Sequence, residues 1–225
     1  MHIIILSRKP ENAIQCVRSI FDKDPTFPRK NIVVVNDGAR EKAEAELPGI
    51  TWLEGEKPFI FSRNANIGMR YAQDDILLLN DDTTLETQDG FTSMDAVARK
   101  QQLGLVSCAL IGDRIREDIH PKLGKVRGLR PTNTKIIAFV ATYIPKNTQD
   151  IVGEFDERYV KYGWEDNDYC LRLLKHTLGC NCFVFDGCVV RHHEAFMTFH
   201  GTEETNGITH WYEGDNAEVF HQKWK

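Results

Sequence analysis

The sequence predicts an α/β fold, a Rossmann-like three-layer α/β/α sandwich around a mostly parallel central sheet. Three observations predict it. Aliphatic runs of strand length alternate with amphipathic stretches of helix length, as in parallel βαβ units. The runs are nearly continuous in Ile, Val and Leu, which suits strands covered on both faces. Several end abruptly on Asn or Asp, at the strand ends where open α/β sheets bind ligands.

The elements follow in order. "HIIILS" reads as a strand, "AIQCVRSIF" as a helix and "NIVVVND" as the next strand. A helix is expected at "REKAEAEL", a short strand at "ITWLE", a helix around "SRNANIGMRYA" and a strand at "DILLLN". Further strands are expected at "LGLVSCALI" and "IIAFVATYIP". A helix opens at "WEDND" and ends near Gly179, and a strand pair, "CFVFD" and "CVVRHHE", follows. The polar and basic stretch between Asp113 and Thr134 reads as an exposed excursion between two core strands that could contact an acceptor. No internal repeat, low-complexity tract or interdomain linker interrupts this order.

Composition narrows the function classes. The 225 residues suit one domain, and 27% charged with 41% hydrophobic residues describe a chain that buries a core. A net charge of −5 argues against a nucleic-acid platform, although a local basic groove stays compatible with it. The apolar start "HIIILS" is too brief for a signal-peptide core, and no run is long enough to span a bilayer. The six cysteines include no CxxC pair and read as reduced core thiols, Cys180 and Cys182 among them. The expected compartment is the cytoplasm.

Three places concentrate polar chemistry. The second strand ends on Asn36, Asp37 and Gly38, residues that also suit a plain turn. The fourth ends on Asn80, Asp81 and Asp82, which serve either as a helix cap or turn or as hard oxygen ligands for a cation holding a diphosphate. The third place sets Glu165, Asp166 and Asp168 in the first turn of a helix, where acids complement the dipole and Asp168 can pair with Arg172. Beyond that helix, His192 and His193 close a strand; adjacent strand residues face opposite sides, so one of them faces the cleft.

Taken in order, "VVVNDGA", "SRNANIG", "LLLNDDT", "WEDNDYCLRL" and "VVRHH" resemble glycosyltransferase family 2, with the GT-A fold, over about residues 1–194. The resemblance implies a nucleotide-binding part over about 1–110, an acceptor part over about 111–194, and a tail or flap of the same domain over 195–225. It implies that Asp37 holds the nucleotide base, with Asn36 in place of a frequent aspartate. Arg63 and Asn64 would contact donor phosphates or ribose. Asp82 becomes the leading ligand of Mn²⁺ or Mg²⁺, and Asn80 takes the first position of the DxD signature, where it can still bond a ribose hydroxyl. Asp81 belongs to the donor side, turned from the metal by strand alternation. His192 is the distal metal ligand, with His193 the alternative.

Asp166 is the implied general base of an inverting transfer, with Glu165 and Asp168 orienting the acceptor or fixing the helix start. Trp164 and Tyr162 could offer a flat surface to a sugar, or could pack inside. The implied donor is a nucleotide-sugar, a UDP-sugar by default. The acceptor is left open among saccharide, lipid-linked glycan, protein and modified nucleic acid. A catalytically silent sugar-nucleotide or carbohydrate-binding module on the same scaffold is the alternative, favoured by Asn80 and opposed by the base. A nucleotidyltransferase is disfavoured because no glycine-rich turn follows "HIIILS". The tail "AFMTFHGTEETNGITHWYEGDNAEVFHQKWK" reads either as a flap over the ligands or as a segment packed against the sheet.

Overall fold

The structure, a computed structural model, describes residues 1–101, 104–112, 119–122, 129–132, 134–160, 163–176, 181–193 and 215–225. Tyr162, Cys180, most of the stretch expected as an excursion and residues 194–214 of the expected tail lie outside the described residues.

Strand β1 (His2–Ser7) lies between β2 (Ile32–Asn36) and β4 (Ile76–Asn80), parallel to both, and β3 (Thr51–Glu54) extends the parallel block beyond β2. A strand flanked on both sides and roofed on both faces needs apolar residues throughout, which is why "IIIL" does not alternate. Its side chains nevertheless divide by parity. Ile3 and Ile5 join the layer of helix α1 (Pro10–Lys23), whereas Ile4 and Leu6 join that of α3 (Phe61–Ala72). In α1 the buried Ala13, Cys16, Val17 and Ile20 follow helical spacing, and Pro10 fixes φ where no intrahelical N–H is needed. Gly68 of α3 presses on β1 so closely that an added Cβ would stand 2.3 Å from Ile4 Cγ2.

The sheet runs β3-β2-β1-β4-β8-β6-β9-β5 among the described residues, with β6 (Leu105–Ile111), β8 (Ala141–Ile144), β9 (Cys182–His192) and β5 (Thr83–Leu85), while β7 (Leu129–Pro131) pairs on β9. Strand β8 inserts antiparallel between β4 and β6, so the sheet is parallel on its N-terminal side and mixed beyond it. With α1 and α4 (Gly90–Gln101) on one face and α3, α5 (Lys146–Val152) and α6 (Glu165–Leu174) on the other, the three-layer α/β/α sandwich is in place.

Several element expectations change. The expected strand pair is one strand, β9, paired in parallel with β6 through a register shift at Cys108/Ala109. Of "IIAFVATYIP" only Ala141–Ile144 is strand. Ile137 and Phe139 instead bury themselves against Tyr169 and Cys170 of α6. The expected helix at "REKAEAEL" is a short α-helix, α2 (Arg40–Ala43), followed by a 3₁₀ turn. Part of the basic excursion folds as β7, where Arg130 pairs with the largely buried Asp186 at 2.8 Å. The five described cysteines are buried, and none is bridged to another described cysteine.

Candidate functional site

The first polar strand end is built by Asn36. Its Oδ1 accepts hydrogen bonds from Gly38 N and Arg40 N, both at 2.9 Å, and closes the turn that Gly38 completes at φ +118°. Its Nδ2 donates to Glu54 Oε2 at the end of β3, 3.0 Å away. An aspartate here would offer that acid no hydrogen, which gives the departure from the more frequent residue a local reason. Burial pushes the carboxyl of the neighbouring Asp37 up, while Lys57 and Arg8 draw it back down. Beside it opens a recess lined by Leu6, Arg8, Lys9, Phe59 and Asp81. Arg8, Lys9 and Phe59 escaped the sequence reading, although Arg8 and Lys9 also follow a strand end.

Helix α3 contributes differently from its motif residues. Arg63 stands half-exposed between Glu56 at 3.6 Å and Glu157 at 3.8 Å. Asn64 is fully buried and accepts from Glu56 N at 2.8 Å, holding a turn in which a Cβ on Gly55 would lie 2.8 Å from Asn36 O. Asn66, not singled out from sequence, exchanges two hydrogen bonds with the Phe155 backbone and so fixes the segment leading to α6.

At the end of β4 the three polar residues separate. Asn80 donates its backbone N–H to Val140 O and accepts from Thr83 Oγ1 at 2.7 Å. Asp81 accepts from Ser7 Oγ at 2.6 Å and from Asn12 Nδ2, and burial raises its pKa to about 6 against the pull of Ser7. Asp82 turns the other way. Its Oδ1 is buried without a hydrogen-bond partner and lies 3.3 Å from His192 Nε2. The pairing of β5 with β9 makes this meeting: Thr83 faces His192, and Asp82 O accepts from His193 N at 2.9 Å. Strand alternation sends the His193 ring elsewhere, to Thr84 Oγ1 at 3.0 Å and Gln15 Nε2 at 3.5 Å.

Gly112 shapes this meeting point. It sits at φ +142°, and a Cβ there would come within 2.2 Å of His192 O. Gly112→Ala is therefore expected to cost about 1–3 kcal/mol of stability from backbone strain alone and to displace His192. Urea unfolding combined with Mn²⁺ titration measures both effects.

The third acid group stands on the opposite helical layer and faces the same edge. Leu173, near the end of α6, lies under Gly104 at the start of β6, while Tyr169 and Cys170 contact the segment just before β8. The first turn of α6 therefore points towards the strand ends that carry Asn80 and Asp82. Asp166 is partly exposed there, and its Oδ1 accepts from Asn167 N at 2.7 Å. Glu165 keeps Oε2 buried without a partner, and burial together with the Asp166 charge raises its pKa to about 8. Folding then binds a proton that the unfolded chain releases near 4.5, so stability falls as pH rises from about 4.5 to about 8. Glu165→Gln is expected to flatten that slope in urea midpoints measured across the window.

Asp168 lies inside. It is fully buried, with Arg172 Nε at 2.9 Å, Trp224 Nε1 at 2.9 Å, Lys223 Nζ at 2.8 Å and Tyr159 OH at 3.3 Å. Trp164 is buried as well, its ring 4.3 Å from Phe220, so of the two uses expected for it the packed one is seen.

The fit to a divalent cation can be judged on these atoms. Two donors each about 2.1 Å from one ion can stand at most about 4.2 Å apart, a condition that 3.3 Å between Asp82 Oδ1 and His192 Nε2 meets. The carboxylate suits Mn²⁺ or Mg²⁺, whereas imidazole is a donor more typical of Zn²⁺ and the later transition metals. No group of three or more His, Cys, Asp or Glu gathers among the described residues, so the remaining positions would fall to water and to ligand oxygens.

Comparison with known proteins follows this geometry. The model of glycosyl transferase family 2 matches residues 2–123, more than half of the chain. No curated protein sequence matches it. Among solved structures, GalNAc-T7 with UDP, GalNAc and Mn²⁺ superposes with a TM-score of 0.67 at 11% identity, covering 85% of this chain and 43% of that one. Residues 1–349 of S. aureus TarS give 0.63 at 14% identity, with 87% and 61% covered. The mannosyltransferase PcManGT from Pyrobaculum calidifontis, in complex with GDP-Man and Mn²⁺, gives 0.55 at 17% identity, with 81% and 55% covered. At these identities the likeness establishes the GT-A fold. The chain spans roughly half of each of these longer proteins.

Proposed function

The chain belongs to glycosyl transferase family 2, and we propose that it moves a sugar from a nucleoside-diphosphate donor to an acceptor hydroxyl, with inversion at the anomeric carbon. The observation that carries this reading is the approach of Asp82 Oδ1 to His192 Nε2 at the sheet edge towards which the first turn of α6 points. A buried, unpartnered carboxylate oxygen costs stability, and its retention beside an imidazole makes sense at a site built to be filled.

Asp82 and His192 would hold Mn²⁺ or Mg²⁺, which supplies charge neutralisation to the donor diphosphate and its departing form. Asp82 alone would repel that diphosphate. Asp37 would bond the base and Asn80 a ribose hydroxyl; Arg63 would exchange its exposed acid partners for a phosphate oxygen, and the recess beside Arg8 and Lys9 would take the rest of the nucleotide. Asn64 would act from inside, by holding the turn beside Asn36.

The chemical step needs a base. Asp166 would accept the proton of the acceptor hydroxyl while that oxygen bonds to the anomeric carbon and the bond to the diphosphate oxygen breaks, so the nucleoside diphosphate leaves with the electron pair. One displacement inverts the centre. Glu165, holding a proton near neutral pH, would keep its own charge from competing with Asp166.

The donor is not identified by these residues. UDP and GDP-Man accompany the structural neighbours, and both nucleotide classes belong in the test. Nucleotide sugars incubated with Mn²⁺, with and without chelator, should release nucleoside diphosphate from at least one donor in a chelator-sensitive manner. Tight nucleotide binding without turnover would identify the silent binding module instead. Neither binding nor turnover would overturn both readings. No helix among the described residues is long and apolar enough to cross a membrane.

A further inference from the structure

The turn that carries Asp166 opens on an unusual N-cap, Trp164, a bulky residue at φ +77° that makes no side-chain capping bond. The far end of the chain packs against it. Helix α7 (Asp215–Lys223) lies against residues 163–168: Asn216 Nδ2 donates to Gly163 O at 2.7 Å, and Phe220 stacks on Trp164. Lys223 Nζ reaches Asp168 Oδ1 at 2.8 Å and Asp156 Oδ2 at 2.7 Å, and Trp224 Nε1 donates to Asp168 at 2.9 Å. A fully buried carboxylate requires such partners. Arg172 supplies one from within α6; Tyr159, Lys223 and Trp224 supply three from outside it, two of them from the C-terminal segment.

We propose that Lys223 and Trp224 are positioning residues: through the buried carboxylate of Asp168 they fix the first turn of α6 and thereby the direction of the Asp166 carboxylate. The inference rests on the reading of Asp166 as general base. It also gives the C-terminal helix a task, since α7 lies outside the segment matched by the family model. Neither residue touches the reacting atoms. Their effect is expected on turnover rather than on donor affinity, because the recess and the Asp82–His192 pair stand on other elements.

The test uses the full chain with Trp224→Phe, which keeps the ring and removes the donor, and Lys223→Met, which removes the charge. Amide exchange over residues 164–168 should accelerate at least about 10-fold in either variant, as local opening of a loosened turn requires, with β1 and β4 unchanged. The kcat for donor hydrolysis should fall about 10- to 100-fold, the scale of a misplaced catalytic group, while donor KM and Mn²⁺·nucleotide affinity stay within about twofold. Lys223→Arg should restore most of the rate. Unchanged exchange in both variants overturns the inference, as does an undiminished kcat in a variant whose turn has loosened. Loss of rate and nucleotide affinity together, with a lowered global unfolding midpoint, also overturns it by showing a general structural role. A wild-type chain inert towards every donor overturns the proposed function and this inference with it, and shows before any variant is made.

Discussion

Replacement of Asp166 by Asn is expected to lower kcat for sugar transfer by about 10²–10⁴-fold, the usual contribution of a general base, while donor KM barely moves. The two side chains are nearly isosteric, and Asn167 N can donate to the amide oxygen as it does to the carboxylate. The turn should therefore keep its shape while the side chain loses its charge and its capacity to accept a proton. Glu165 is a poor substitute, since its burial still raises its pKa once the Asp166 charge is gone. Steady-state kinetics with a turned-over donor measure the effect. A variant retaining full rate with unchanged donor binding would remove Asp166 from the mechanism.

Asp82→Ala acts on another step. It is expected to weaken Mn²⁺-dependent nucleotide binding by more than about 100-fold, beyond what loss of an outer-shell partner usually costs. Stability should hold or rise, by up to about 1 kcal/mol, because the substitution removes a buried carboxylate oxygen that makes no hydrogen bond. His192→Ala should resemble it. The double variant should be scarcely worse than either single one, since two ligands of one ion act as a unit. Calorimetric titration of nucleotide with and without Mn²⁺ separates these outcomes, and Asp82→Ala with an unchanged metal dependence would reject the role.

Much of this architecture is legible in the sequence because its information is local. The runs "IIIL", "IVVV" and "ILLL" declare buried parallel strands, and their polar ends mark the ligand edge. Where the decisive contact is distant, the sequence falls silent. Thr83–Leu85 is too short to read as a strand and exists through its pairing with β9. That same register sends His192 to Asp82 and His193 to Thr84, a choice that the dipeptide cannot express by itself. Asp168 reads as one more acid in a helix start, yet two of its partners lie 55 and 56 residues away. Gly112 carries a weak local sign, a glycine just past a strand, but its reason is the His192 carbonyl.

The account turns on one shared cation. Crystals grown with Mn²⁺ and a nucleoside diphosphate, measured at the manganese absorption edge, address it most directly. A single anomalous peak within bonding distance of both the Asp82 carboxylate and His192 Nε2, and touching the diphosphate, is the predicted result. A well-ordered nucleotide with no such peak, or with manganese held by other residues, would contradict it.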